Sequence, residues 1–180
     1  MNLQPQNLEN QLVELRPLLP SDFELLYAVA SDPFIWEQHP TKERYQKPIF
    51  QIFFDGALEM EGAFVVVDKQ TKNIIGSSRF YEYNVRKKSI TIGYTFYGRA
   101  YWGKSYNIEV KKLMINYAFQ YVDNVVFHIG SQNIRSQKAI EKLGAVKYDE
   151  QTIYYKGEPT ANLNFFYKIK KENWQIETKI

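Results

Sequence analysis

The segment Ser89–Val110, SITIGYTFYGRAYWGKSYNIEV, joins a strand-like run to a helix-like run through a loop that contains two glycines. Its loop, Gly98–Ser105 (GRAYWGKS), matches the pattern G-x-x-x-x-G-K-[ST], which requires a strand before it and a helix after it. Because a helix N-terminus offers unpaired N–H groups and the positive end of a dipole, the segment predicts an anion site at the helix start. The rest of the chain must indicate which anion binds.

The composition indicates one globular domain. The 180 residues are 44% hydrophobic and 24% charged, and the net charge of +3 is too balanced to predict a nucleic-acid-binding face. The absence of cysteine excludes disulfides and thiolate chemistry, and two histidines argue against a zinc site, so we expect no metal. We find no signal-peptide pattern and no apolar run near the roughly 20 residues of a membrane span. We therefore expect a cytoplasmic protein without a nucleic-acid or membrane partner.

Apolar periodicity predicts an α/β domain with a mixed sheet, in the order β-α-α-β-β-β-α-β-α-β-β. The first helix is expected to begin with a capping box formed by Ser21 and Glu24. Turn-forming residues between two strand-like runs, Gly62–Asp68 and Ile74–Tyr83, predict a hairpin. The other predicted elements are strands at Leu12–Leu18, Ser89–Phe96, Asn124–Gly130 and Leu163–Lys171, and helices at Lys47–Met60 and 133–145.

The helix after the loop has the clearest amphipathic pattern, and Asn107 is its expected N-cap. Apolar residues recur on one face at helical spacing. They are Val110, Leu113, Met114, Tyr117, Ala118 and Tyr121. Lys111 is expected on the opposite, solvent-facing side. The next helix is expected to be capped by Asn133 and ended by Gly144.

A nucleoside triphosphatase is one interpretation of the loop, and three observations argue against it. The 75 residues after Ser105 are too few for the parallel sheet that such enzymes build beyond the loop. The acidic strand end that would orient magnesium, Asp68, lies upstream in the predicted hairpin. The variable positions 99–102 are Arg, Ala, Tyr and Trp, which include bulky side chains where the loop must wrap tightly around a phosphate.

Three ordered segments carry a family resemblance: Ile92–Phe96 (IGYTF), Tyr101–Glu109 (YWGKSYNIE) and Asn133–Ala145 (NIRSQKAIEKLGA). Together they resemble the GCN5-related N-acetyltransferase (GNAT) superfamily, and most of all the branch that includes the ribosomal-protein N-terminal acetyltransferases. The third segment matches the family's N-x-R-S…EK-x-G pattern at the family's distance from the first.

The resemblance implies the GNAT fold, a mixed and mostly antiparallel sheet of roughly six to seven strands flanked by about four helices. It covers residues 12–170 as a single acetyltransferase domain. A lead-in at 1–11 and a tail at 171–180 flank that domain.

The same resemblance assigns the loop to the diphosphate of acetyl-CoA, the expected co-substrate. In the family, main-chain N–H groups of the loop bind this diphosphate. The chain keeps Gly103, but it has Ala100 at the family's first position and Ser105 at the family's second glycine. The residues expected to contact acetyl-CoA are Tyr94, Thr95, Phe96, Arg99, Trp102, Gly103, Lys104, Ser105, Tyr106, Asn107, Asn133 and Ser136.

Catalytic roles also follow from the resemblance. One main-chain N–H among Tyr94–Phe96 is expected to polarise the thioester carbonyl. Asn133 would bond the pantetheine arm, cap its helix, or do both. Ser136 would reach the thiolate as a proton donor or through a water, or it would be a structural serine. The general base is open, because Thr91 stands where many relatives have Glu. The candidates are Glu82, Glu37 and His39, a water chain, or an amine that arrives already deprotonated.

The acceptor pocket is expected around Trp36, Glu37, His39, Arg79 and Tyr81. Arg79 is costly to bury unpaired and is expected to bond Glu37 or an acidic group of the substrate. The predicted function is transfer of an acetyl group to a primary amine, on a protein N-terminus or a small molecule, and a homodimer would be ordinary for the family. The alternatives are a CoA-binding protein without catalysis and a nucleoside triphosphatase.

Overall fold

The computed structural model describes residues 1–154 and 161–174, which form one eight-stranded sheet and four α-helices. The strands are β1 Leu8–Glu9, β2 Val13–Pro17, β3 Ala63–Asp68, β4 Ile74–Asn84, β5 Ser89–Tyr97, β6 Asn124–Gly130, β7 Val146–Ile153 and β8 Asn162–Lys170. The helices are α1 Phe23–Ala30, α2 Lys47–Glu59, α3 Tyr106–Ala118 and α4 Ile134–Glu141.

The sheet has the strand order β1-β2-β3-β4-β5-β6-β8-β7. All neighbouring pairs are antiparallel except β5 and β6, which are parallel. The predicted mixed, mostly antiparallel sheet is confirmed, with β1 as an addition inside the expected lead-in. Residues 155–160 of the predicted domain and 175–180 of the predicted tail lie outside the described residues. Within the described chain, no helix is long and apolar enough to cross a membrane.

Two apolar clusters form the core. Alternate residues of β3 enter different clusters, as the period of two in a strand requires. For example, Phe64 lies in one cluster and Val65 in the other. The first cluster includes Met114 of α3, and the second includes Leu26 of α1 and Phe50 of α2. The sheet therefore separates α3 from α1 and α2.

The start of the first helix differs from the prediction. A 3-10 turn over Pro20–Asp22 precedes α1, which begins at Phe23. The Asp22 carboxylate accepts the Leu19 N–H at 2.8 Å and pairs with Arg16 at 2.8 Å. The predicted capping box of Ser21 and Glu24 is wrong, because Asp22 satisfies a main-chain donor at this helix entry.

The third helix also differs from the prediction in two respects. It begins at Tyr106, one residue after Ser105, so the assignment of Asn107 as N-cap is wrong. Lys111 was expected on the solvent face, yet only 4% of its surface is exposed. Helical spacing places Lys111 beside Met114, and hydroxyl groups of the sheet accept its hydrogen bonds. The predicted cap at Asn133 is confirmed.

A gap opens between the two parallel strands. β5 and β6 pair only where Ser89–Thr91 lies beside Asn124–Val126 within the described chain. Both strands continue without pairing to each other, β5 as far as Tyr97 and β6 as far as Gly130. Main-chain groups that would complete the ladder on these facing edges are therefore available to a ligand.

A β-bulge lies on β5 at this gap. The pairing with β4 shifts by one residue between Gly93 and Phe96, so Tyr94 and Thr95 together face Ser78. Tyr94 has a φ angle of 52°, in the left-handed region that residues other than glycine rarely adopt. Such a conformation costs about 1–3 kcal/mol and persists only where the surroundings hold it.

Candidate active site

Aromatic and cationic groups hold the bulge in place. The Arg79 guanidinium carbon lies 4.2 Å from the centre of the Tyr94 ring. The rings of Tyr81 and Phe53 lie 5.1 Å and 6.0 Å from the same ring. The strained peptide at Tyr94 is thus fixed from the α2 side of the sheet.

The loop before α3 presents main-chain groups to solvent. Gly103 has a φ angle of 70°, and a Cβ added there would meet no described atom within 4 Å. Gly103, Lys104 and Ser105 are all exposed. The first N–H groups of α3 have no intrahelical partner, and the Ser105 side chain does not cap them. Glycine is thus required here by backbone conformation rather than by packing, which suits a loop that an anion approaches.

Two of the predicted cofactor contacts are engaged with protein groups. The Arg99 side chain forms an ion pair with Asp32 and lies over the Phe34 ring. The Trp102 indole N–H donates to the Tyr97 carbonyl at 3.0 Å. These contacts tie the loop to the strand before it and to the segment that follows α1.

The start of α4 lies close to this loop. The Asn133 side chain accepts the Ser136 N–H at 3.1 Å and caps the helix. Arg135 stacks on the Trp102 ring at 3.8 Å, and its guanidinium is 3.7 Å from the Glu37 carboxylate. The Ser136 hydroxyl makes no hydrogen bond to a described residue, so it is available to a bound thiol. The contact between Arg135 and Trp102 therefore places the loop near Asn133 and Ser136.

A carboxylate lies beside Thr91, where many relatives carry their base. Glu82 Oε2 accepts a hydrogen bond from the Thr91 hydroxyl at 3.2 Å and is 3.8 Å from His128 Nε2. Glu82 has a φ angle of 53° at an irregularity of β4, and such irregularities re-aim side chains. Three polar groups from β4, β5 and β6 therefore converge at the mouth of the gap.

His128 is a member of this cluster that the sequence did not reveal. It lies two residues beyond Val126, the last β6 residue paired with β5, and its ring is 4.1 Å from Phe166. Burial lowers its pKa below the ordinary 6.5, partly offset by the nearby Glu82 carboxylate. The ring is therefore neutral near pH 7. The available signal was that His128, one of the two histidines of the chain, lies on a predicted buried strand. The separation of that strand from β5 could not be seen in the sequence.

His39 does not have the properties expected of a base. Its Nδ1 accepts the Thr41 N–H at 2.9 Å, and its Nε2 lies 3.1 Å from Arg44 Nη1. Burial and the Arg44 charge lower its pKa well below 6.5. His39 is therefore a poorer candidate for the general base than Glu82, because both of its ring nitrogens face N–H donors.

The acceptor residues divide into two groups. Trp36 is buried and its indole N–H donates to the Ala30 carbonyl at 2.8 Å, a structural contact. Glu37 pairs with Arg135, so its expected pairing with Arg79 is wrong. Arg79 and Tyr81 instead lie together against the bulge.

Arg79 is a buried cation without a described carboxylate partner. It is 3% exposed, and burial lowers its pKa. Its Nη1 contacts the Gly56 carbonyl at 3.3 Å and the Met60 sulfur at 3.4 Å. Its Nε has no hydrogen-bond partner among the described residues. Neutral atoms at the end of α2 therefore supply its hydrogen bonds to the protein.

The arrangement of strands does not suit a nucleoside triphosphatase. The strand before the loop is paired antiparallel to β4 and diverges from β6, whereas phosphate-binding loops of that class lie in parallel sheets. Asp68 accepts hydrogen bonds from Thr71 and the Gln70 N–H in the β3–β4 turn. No cluster of metal-ligating side chains occurs in residues 1–154 and 161–174.

Comparison with known proteins agrees with this geometry. The family model described as "Acetyltransferase (GNAT) domain" matches residues 13–146. A GCN5-related N-acetyltransferase from Brucella melitensis is similar in structure, with a TM-score of 0.80, 17% identity and coverage of 92% of this chain and 79% of that one. At this identity the likeness shows the fold alone.

Two Vibrio cholerae structures are also similar in fold. One is a spermidine N-acetyltransferase in complex with CoA and spermine, with a TM-score of 0.69, 18% identity and coverage of 91% of this chain and 98% of that one. The other is provisionally assigned as a ribosomal-protein-serine acetyltransferase, with a TM-score of 0.69, 19% identity and coverage of 92% and 98%. The match of the family model over most of the chain shows that this protein belongs to the GNAT acetyltransferase family, whose members are acetyl-CoA-dependent acyltransferases.

Proposed function

We propose that this protein transfers the acetyl group of acetyl-CoA to a primary amine, by direct attack of the amine in a ternary complex. The observation that carries the proposal is the bulge at Tyr94, which faces the gap between β5 and β6. The exposed loop at Gly103 and the start of α4 lie near the same end of that gap.

Acetyl-CoA fits the groups available around the gap. The uncapped N–H groups at Gly103–Asn107 would hold its diphosphate at the start of α3. The unpaired edge at Tyr94–Phe96 would bond the pantetheine amides as a neighbouring strand does, and Asn133 would bond the same arm. Bound there, acetyl-CoA supplies an activated acyl group beside the bulge.

Proton transfer is assigned to two sites. Glu82, held by Thr91 and beside neutral His128, would accept the proton of the attacking amine. The amine nitrogen then bonds to the acetyl carbon as the carbon–sulfur bond breaks. Ser136 would pass a proton to the departing thiolate and regain one from solvent, to which Glu82 returns the proton of the amine. A main-chain N–H of the bulge would stabilise the oxyanion.

The acceptor is proposed to carry an anionic group, such as a carboxylate, close to its amine. Arg79 supports this, because a buried guanidinium bonded only to neutral atoms is costly and an anion would offset the cost. A peptide with an acidic residue near its N-terminus and a small amino acid both have this chemistry. A polyamine such as spermidine lacks it.

The test is thiol release from acetyl-CoA with a panel of amines, after calorimetric titration of acetyl-CoA. The panel would contain peptides with free N-termini, amino acids and spermidine. The proposal predicts thiol release with at least one amine, fastest for those that carry a carboxylate. Tight binding of acetyl-CoA without release on any amine would instead favour a CoA-binding protein without catalysis, which the threonine at position 91 motivates.

A further inference from the structure

Lys111 is a buried cation that the proposed reaction does not use. It lies in α3 and is 4% exposed. Its Nζ donates to the Thr95 hydroxyl at 2.6 Å and to the Ser78 hydroxyl at 3.2 Å. The two hydroxyl oxygens are 2.8 Å apart. No described carboxylate pairs with this ammonium, and burial alone lowers its pKa to about 7.

A lysine at this position needs an explanation beyond packing. Its neighbours Met114 and Ile115 on the same helix are fully buried apolar residues. A methionine at 111 would fill a similar volume without the cost of desolvating a charge. The ammonium therefore costs stability that its two hydrogen bonds to neutral hydroxyls only partly offset.

The hydroxyls that hold Lys111 belong to the bulge. Thr95 and Tyr94 are the two bulge residues, and Ser78 is the residue opposite them on β4. The Thr95 hydroxyl also donates to the Gly93 carbonyl at 3.3 Å. The Gly93 carbonyl and the Tyr94 N–H belong to one peptide unit, so the hydrogen-bond chain from Lys111 ends on the peptide that forms the bulge.

This chain has a defined direction. The lysine ammonium can only donate, so the Thr95 oxygen accepts from Nζ and the Thr95 proton is left for the Gly93 carbonyl or the Ser78 hydroxyl. Hydrogen bonds in series polarise one another, and one made to the carbonyl of a peptide strengthens the donor at its N–H. The cation thus lies behind the peptide on the α3 side, whereas Arg79 holds the Tyr94 ring on the α2 side.

We propose that Lys111 is a positioning residue, which acts through Thr95 to fix and polarise the bulged peptide that faces the thioester carbonyl. This inference rests on the proposed acetyl transfer. It assigns to α3 a role in turnover that is separate from binding the diphosphate at its N-terminus.

The experiment uses Lys111→Met and the pair Thr95→Val and Thr95→Ser in the full-length protein. Met keeps the unbranched side chain of lysine as far as Cε and removes the ammonium. Val keeps the shape of the threonine without its hydroxyl, and Ser restores the hydroxyl. For each variant kcat is measured with the best amine, the acetyl-CoA Kd by calorimetry, and folding by thermal unfolding.

The proposal predicts that kcat falls at least fivefold in Lys111→Met and in Thr95→Val, because a displaced oxyanion donor loses much of its effect. Thr95→Ser, which restores the hydroxyl, recovers at least half of the kcat that Thr95→Val loses, and the acetyl-CoA Kd changes less than twofold throughout. A smaller fall in kcat, a loss in Thr95→Ser equal to that in Thr95→Val, or a parallel weakening of acetyl-CoA binding would overturn it. If the unmodified protein releases no thiol, the proposed function itself fails, and the two failures are thereby distinguished.

Discussion

The Lys111→Met substitution should stabilise the protein while it slows turnover. The pKa of Lys111 is lowered from 10.5 to about 7 by burial, so desolvating its ammonium costs about 4 kcal/mol at pH 7. Losing the two hydrogen bonds costs roughly 1–3 kcal/mol, because the Ser78 and Thr95 hydroxyls can still bond each other. We therefore expect the free energy of unfolding to rise by about 1–3 kcal/mol at pH 7.

The stability difference between the two proteins should also depend on pH, because the pKa of Lys111 is lowered in the folded chain. Between pH 7 and pH 10.5 the unfolded chain holds the proton of Lys111 and the folded chain loses it, so the original protein gains stability as the pH rises. The methionine variant lacks this gain, so the stability difference in its favour should fall by about 3 kcal/mol between pH 7 and pH 10, to zero or below.

Urea unfolding of both proteins at pH 7 and pH 10, followed by circular dichroism, measures these differences. The reasoning would be refuted if the variant were less stable at pH 7. A stability difference that did not change with pH would refute it equally, since the charge of Lys111 would then carry no cost.

Three further predictions concern the site. Arg79→Ala should raise the acceptor KM about tenfold or more and leave the acetyl-CoA KM nearly unchanged, because the lost anion contact belongs to the acceptor alone. Steady-state kinetics with both substrates varied measure the two values, and an equal rise in both would exclude Arg79 from the acceptor site. Glu82→Gln should lower kcat at pH 7 by a factor of about 10², since a general base contributes this much, and should leave the acetyl-CoA Kd measured by calorimetry unchanged. An unchanged kcat would mean that another group accepts the proton of the amine. Gly103→Ala should raise the acetyl-CoA Kd measured by calorimetry. A residue with a Cβ is strained at a φ of 70°, so the substitution should shift the amides of the loop. An equal Kd would mean that the diphosphate binds elsewhere.

Much of the fold could be predicted because local patterns agree with it. The strand-like runs of β3 and β4, separated by turn residues, predicted a hairpin, and the two strands pair antiparallel. Asn133 caps α4 as its spacing indicated. Gly144 has the positive φ, 86°, expected of a residue that ends a helix. In each case neighbours in the chain supply the determining interaction.

The predictions failed where residues that are distant in the sequence determine the structure. Lys111 follows the polar spacing of its helix, but the hydroxyls that accept its hydrogen bonds come from two strands. The separation of β5 from β6, which begins before His128, depends on strand pairing that no single segment specifies. Arg79 could be predicted to be buried, but not to bond neutral atoms of α2 instead of Glu37.

The central claim is that main-chain groups at the start of α3 bind the diphosphate of acetyl-CoA while the bulge at Tyr94 faces its thioester. A crystal structure with CoA bound measures this directly. The account predicts diphosphate oxygens about 3 Å from main-chain nitrogens between Gly103 and Asn107, with the pantetheine arm in the gap between β5 and β6. Diphosphate density away from these nitrogens, or a nucleoside triphosphate with magnesium bound there in competition with CoA, would contradict it.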